Sequence, residues 1–175
     1  ITASTLGKGN AGNINIVKNS NINLTNSTIS ASTSGIGDTG EINLSASEKI
    51  NLTNSQITSS VETGGVGNSL TVNLSSPTLT LDNSQINAFT DGKGNAGSIN
   101  ISDNGKNNQL VSLTNKSEIS TEIGKNGEAN QPSNITIKTN RLDSNNSTIT
   151  ASTLGKGDAG NITILDTKII NLTGS

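Results

Sequence analysis

Four copies of one glycine-rich motif carry the most suggestive chemistry in this 175-residue chain: GKGNAG at 7–12, GIGDTG at 35–40, GKGNAG at 92–97 and GKGDAG at 155–160. Each fits G-x-G-x-x-G, the loop that brings backbone amides to a pyrophosphate in dinucleotide-binding folds. That chemistry needs a helix N-terminus directly after the loop. Here an apolar–polar alternation follows each copy, so the motif reads as a corner whose glycines take positive φ. The copies with Asp38 and Asp158 also carry the G-x-G-D of calcium-binding rolls. Calcium takes six to eight oxygens with carboxylates among them, and Asn10, Asn68 and Asn95 replace the acid in other copies. Asp38 and Asp158 are therefore weak calcium candidates, and no other metal or cofactor site is indicated.

Catalytic residues are not indicated either. The chain has no His and no Cys. Polysaccharide-cleaving β-helices need clustered acids, whereas Glu41, Glu48, Glu62, Asp82, Asp91, Glu118 and Glu122 fall on different parts of the repeat. Lys8, Lys93, Lys125 and Lys156 share the glycine loop. They read as solvated charges that resist lateral sheet pairing, with a cationic stripe for anionic glycans as the functional alternative. The many N-x-S/T triplets arise from strands rich in Asn and Thr, so they are poor glycosylation signals.

Composition excludes further classes. A net charge of −2 with 14% charged residues gives neither a basic patch for nucleic acid nor an acidic tail. No run approaches the roughly 20 apolar residues of a membrane helix, so membrane insertion is not expected. The single aromatic is Phe89, which implies a thin core of Ile, Leu, Val and Ala. Absence of cysteine leaves the redox compartment open.

The elements that position these loops follow from a repeat of about 28 residues. ITASTLGKG occurs at 1–9 and again at 149–157. One anchor column is Ile1, Ile29, Ile57, Ile86, Ile119 and Ile149; a second is Ile14, Ile42, Val72, Ile99, Ile135 and Ile162; a third is Leu24, Leu52, Leu81, Leu113, Leu142 and Leu172. Each repeat holds three short alternating segments, in the first copy 1–5, 13–17 and 21–25, and period-2 alternation marks strands with one buried face. In 1–5 the inward residues are Ile1, Ala3 and Thr5, and Ala31, Ala88 and Ala151 are expected to stack where the interior narrows. The corner before the first strand repeats as Asn26-Ser27, Asn54-Ser55, Asn83-Ser84 and Asn146-Ser147, where Asn tolerates left-handed backbone. Stacked amides there would form a ladder.

Three strands per repeat predict an all-β, right-handed parallel β-helix of five to six coils, with coils about 4.8 Å apart. An antiparallel roll or sandwich is the alternative fold. Residues 1–175 read as a single segment of a longer array without caps, so open sheet edges imply end-to-end self-association besides contact with neighbouring coils of the parent chain.

The phrases N-S-x-I-x-A-S-T, G-x-G-N/D-A-G-N-I-x-I and I-N-L-T-N-S, clearest at 26–44, 83–101 and 146–164, resemble the repeats of filamentous-haemagglutinin-type exoproteins. These are large adhesins exported by two-partner secretion. The likeness spans the chain but departs at 103–112 and 124–133, where longer coils suggest surface decorations. It implies an extracellular or cell-surface β-helix that acts as the shaft of an adhesive fibre, without enzymatic activity. Two other readings are open: a module binding host or matrix glycans, or ice, through outward Thr2, Ser4, Thr28, Ser30, Ser32, Thr150 and Ser152; and a polysaccharide-degrading enzyme.

Overall fold

The computed structural model describes residues 1–102, 105 and 110–175. Most of the 103–112 departure therefore lies outside the described residues. The described chain contains strands and corners and no helix, as the absence of any 3.6-residue apolar period requires.

The strands form a β-solenoid of about six coils, each of about 29 residues. The first face holds β1 (Thr2–Thr5), β3 (Thr28–Thr33), β5 (Gln56–Val61), β8 (Gln85–Thr90), β11 (Glu118–Ile123) and β14 (Thr148–Thr153), paired in that order. The second face begins with the leading halves of β2 (Ile14–Thr25) and β4 (Ile42–Thr53). It continues with β6 (Val72–Ser75), β9 (Ile99–Ser102), β12 (Ile135–Lys138) and β15 (Ile162–Leu165). The third face takes the trailing halves of β2 and β4, then β7 (Thr78–Asp82), β10 (Leu110–Thr114), β13 (Arg141–Asn145) and β16 (Ile169–Thr173). Pairing is parallel throughout, coil on coil. Because β2 and β4 pass the second corner unbroken, the second and third faces form one ten-stranded sheet. Three separate strands per coil are thus found only from the third coil onward.

Register places Ile29, Ile57, Ile86, Ile119 and Ile149 in successive coils. It does the same for Ile14, Ile42, Val72, Ile99, Ile135 and Ile162. In the interior coils these side chains are fully buried, Ile57, Val72, Ile86 and Ile99 among them. Burying each such side chain contributes roughly 1.5–3 kcal/mol. No single coil encloses this interior, so the stabilisation belongs to the contacts between coils. The outer coils have one neighbour each, and Ile1, Ile162 and Leu172 are correspondingly exposed.

Two columns differ from the sequence-based expectation. Leu142 does not continue the Leu113 column. It pairs with Val111, and Ser144 stands opposite Leu113. A shift of two residues keeps a side chain on the same face, so alternation alone cannot detect it. Buried Ser144 is accommodated by its hydroxyl contact with Ser175 Oγ at 2.8 Å. Nor do Ala31, Ala88 and Ala151 touch in sequence: Ser59 lies between the first two and Thr121 between the last two. Both inserted hydroxyls find partners, as burial demands. Ser59 Oγ lies 2.8 Å from Thr39 Oγ1, and Thr121 Oγ1 donates to the Ser133 carbonyl at 2.9 Å.

Candidate functional site

The corners between the third and first faces are built by Asn-Ser pairs. Asn26, Asn54, Asn83 and Asn146 all adopt φ of 48°, and Asn115 adopts 56°. Asparagine enters this left-handed region more readily than most residues because its short polar side chain bonds locally. The serine that follows closes the corner in two directions. Ser55 Oγ donates to the Thr53 carbonyl at 2.8 Å and accepts the backbone N–H of Ser27 at 3.1 Å. Ser84 and Ser117 repeat the arrangement for the N–H groups of Ser55 and Ser84. Hydroxyls rather than amides therefore link coil to coil here. In the asparagine column, among the described residues, only Asn83 Nδ2 and Asn54 Oδ1 are joined, at 2.8 Å.

A longer amide ladder lies on the second face and spans the first four coils. Asn43 donates to Asn15 at 2.9 Å, Asn73 to Asn43 at 2.8 Å and Asn100 to Asn73 at 3.0 Å. Recurrence of Asn one residue after Ile14, Ile42, Val72 and Ile99 carried that signal in the sequence, and it ends where Thr136 and Thr163 follow Ile135 and Ile162. The same outward register explains why Asn43 of the Asn43-Leu44-Ser45 triplet is engaged rather than presented.

The glycine loops stack as corners. Lys8, Ile36, Val66, Lys93, Glu128 and Lys156 bridge one another in successive coils. An added Cβ on Gly37 or Gly94 would land on the carbonyl oxygen of the glycine one coil earlier, Gly9 or Gly67, and both positions have φ above 130°. Glycine is required by close approach of backbone to backbone, not by a phosphate. Register gives Glu128 the position assigned above to Lys125. The column is therefore no cationic stripe. Glu128 lies 2.5 Å from Lys156 Nζ and 3.8 Å from Lys93 Nζ. The Lys156 hydrogen bond and charge hold the Glu128 carboxyl below its ordinary value, and Glu128 raises Lys156 in return.

Asp38 belongs to a third ladder. It accepts the Asn68 backbone N–H at 2.7 Å, while Asn10 accepts that of Asp38 at 2.9 Å and Asn68 that of Asn95 at 3.0 Å. Asp158 is exposed in the sixth coil, four coils from Asp38, or roughly 19 Å at the usual strand spacing. The two calcium candidates therefore do not meet, and no group of three His, Cys, Asp or Glu converges among the described residues.

The remaining acids are mostly tied into the frame. Glu62 Oε1 accepts the Ser60 hydroxyl at 2.7 Å. Asp91 accepts Thr63 Oγ1 and both the backbone and side-chain N–H of Asn126. Segment 124–133 is thereby stitched onto the coil beneath it. The outward hydroxyl face is in register but interrupted. One column reads Thr2, Ser30, Thr58, Asn87, Ser120, Thr150; the next reads Ser4, Ser32, Ser60, Phe89, Glu122, Ser152.

Parallel coils, stacked corners and outward amide ladders define a β-solenoid repeat protein. No family model matches the chain, and no curated protein or solved structure is significantly similar to it.

Proposed function

We propose that the chain is part of the shaft of a secreted or surface-attached, filamentous-haemagglutinin-like adhesin. The observation that carries this reading is that every structural ladder runs along the axis. The aliphatic columns, the serine corner and the second-face asparagines each link one coil to the next. Such a unit propagates by nearest-neighbour contacts and gains length at about 4.8 Å per coil. Several acids, Glu41, Asp82, Asp91 and Glu128 among them, link neighbouring coils, and the reading assigns no catalysis.

Antibodies against the chain test the proposal on intact cells of the source organism. Labelling of the surface, with release of the epitope by mild external proteolysis, is the expected result. Retention of the epitope inside protease-treated cells would sink it.

A further inference from the structure

We propose that the asparagine corner is a binding site for an acidic oligosaccharide, held lengthwise along the solenoid axis. The proposal goes beyond the shaft reading and stands apart from it: surface labelling can succeed while the site fails.

The site is a groove of about 440 Å³ along the corner, lined by Asn26, Asn54, Asn83, Gln56, Gln85 and Lys116. Its amides differ from those of the second face. There three successive pairs of asparagines are bonded, and Glu41 accepts further bonds from Asn43 and Asn73, so the middle of that column is fully engaged. In the groove Asn26 and the Asn83 side-chain oxygen have no side-chain partner among the described residues, and Gln85 Oε1 accepts only two long contacts, from Gln56 at 3.5 Å and Asn87 at 3.4 Å, which leaves its amide donors open. Each such amide carries two donors and an acceptor. The three asparagines rise at the coil spacing, so they span about 10 Å along the axis.

One departure from the repeat adds a cation at the end of this row. Asp82 pairs with Thr114 and Gln85 with Glu118. Two residues, Asn83 and Ser84, link the first strand pair, while three link the second: Asn115, Lys116 and Ser117. Lys116 is the extra residue. It sits at φ 65°, a conformation that costs a non-glycine residue roughly 1–2 kcal/mol. Its insertion turns Asn115 toward Asp82, which accepts the Asn115 amide at 2.5 Å. The asparagine ladder stops at Asn83, and no partner for Lys116 Nζ is found among the described residues.

The chemistry selects the ligand class. Open amides in a row suit the hydroxyls of an extended sugar chain, and one ammonium suits one carboxylate. The strand after Lys116 starts with Glu118, whose register partner is Gln85. A densely charged polyanion would meet that carboxylate, whereas a chain with isolated acids avoids it.

The test is a titration of the 15N-labelled chain with a tetrasaccharide carrying a single uronate, its carboxyl-reduced neutral counterpart and a sulfated tetrasaccharide, read on side-chain amide resonances. The uronate should shift Asn54, Asn83 and Gln85. Affinity should fall about tenfold for the neutral sugar and for Lys116→Asn, the scale of one charge-assisted hydrogen bond. Asparagine keeps the left-handed backbone, so this variant removes charge without forcing the corner. Gln85→Ala, on a regular strand, provides a second variant and should weaken binding several-fold, while Glu118→Gln should tighten it. No shift with the uronate overturns the proposal. So does equal binding of the neutral sugar, indifference to both Lys116→Asn and Gln85→Ala, or tighter binding of the sulfated sugar.

Discussion

Asp91 in the fourth coil holds Asn126 of the fifth by two bonds, one from the backbone N–H to Oδ1 and one from the side-chain amide to Oδ2, each 2.9 Å. With Thr63 Oγ1 as a third donor from the third coil, one carboxylate links three coils.

That carboxylate makes part of the stability pH-dependent. The Thr63 hydrogen bond, followed by those of Asn126, lowers the Asp91 pKa below its ordinary 3.8. A depressed folded-state pKa stabilises above the unfolded value and is lost as pH falls through the folded one. Asp91→Asn should therefore cost about 1 kcal/mol at pH 7 and progressively less below pH ~4. Urea midpoints at pH 7, 4 and 2.5 measure this; a constant difference would refute the linkage.

The serine corner should be more sensitive than its exposed surroundings imply. Ser84→Ala removes the acceptor of the Ser55 N–H and the donor to the Asp82 carbonyl at a site 1% exposed. A loss of about 1–3 kcal/mol is expected, the penalty of stranding a buried polar group. A denaturant midpoint equal to that of the parent chain would show the ladder to be dispensable.

Two buried hydroxyls should be improvable. Thr33 Oγ1 and Thr90 Oγ1 are buried without a partner among the described residues, and Val61 and Ile123 occupy the same column in adjacent coils. Thr33→Val and Thr90→Val keep the shape and drop the stranded group, so each should be neutral or stabilising by up to roughly 1 kcal/mol. Thermal melts decide; destabilisation by more than that amount contradicts the assignment.

Gly94→Ala should be among the most damaging single changes. Its Cβ would meet the Gly67 carbonyl, and φ there is 134°. A cost above about 3 kcal/mol is expected, against a small effect for Gly7→Ala, which meets no atom within 4 Å. Comparable melting of the two variants would remove close coil contact as the reason for the motif.

The sequence revealed the fold where chemistry recurs at the repeat distance. Ile29, Ile57 and Ile86 announced both the inward face and the coil length, because alternation and period agree there. Leu142 misled because a two-residue slip preserves its face. Lys125 misled because the preceding loop, at 124–127, turns back on itself through a Gly127 N–H to Gly124 carbonyl bond, bringing Glu128 into line. The serine links were visible as Asn-Ser pairs but not as bonds between coils, since hydroxyl direction depends on neighbours outside the pair. Lys116 was hidden by its own irregularity: it adds a residue to its Asn-Ser corner and so falls out of the repeating columns.

Thr114 and Glu118 both keep their partners on either side of the extra lysine, so a change in chain length at that corner is absorbed before the next strand begins. Such a coil has a fixed rise and an adjustable perimeter. Peptides grafted at the Asn-Ser corners would decorate the rod at chosen heights while its pitch stays the same.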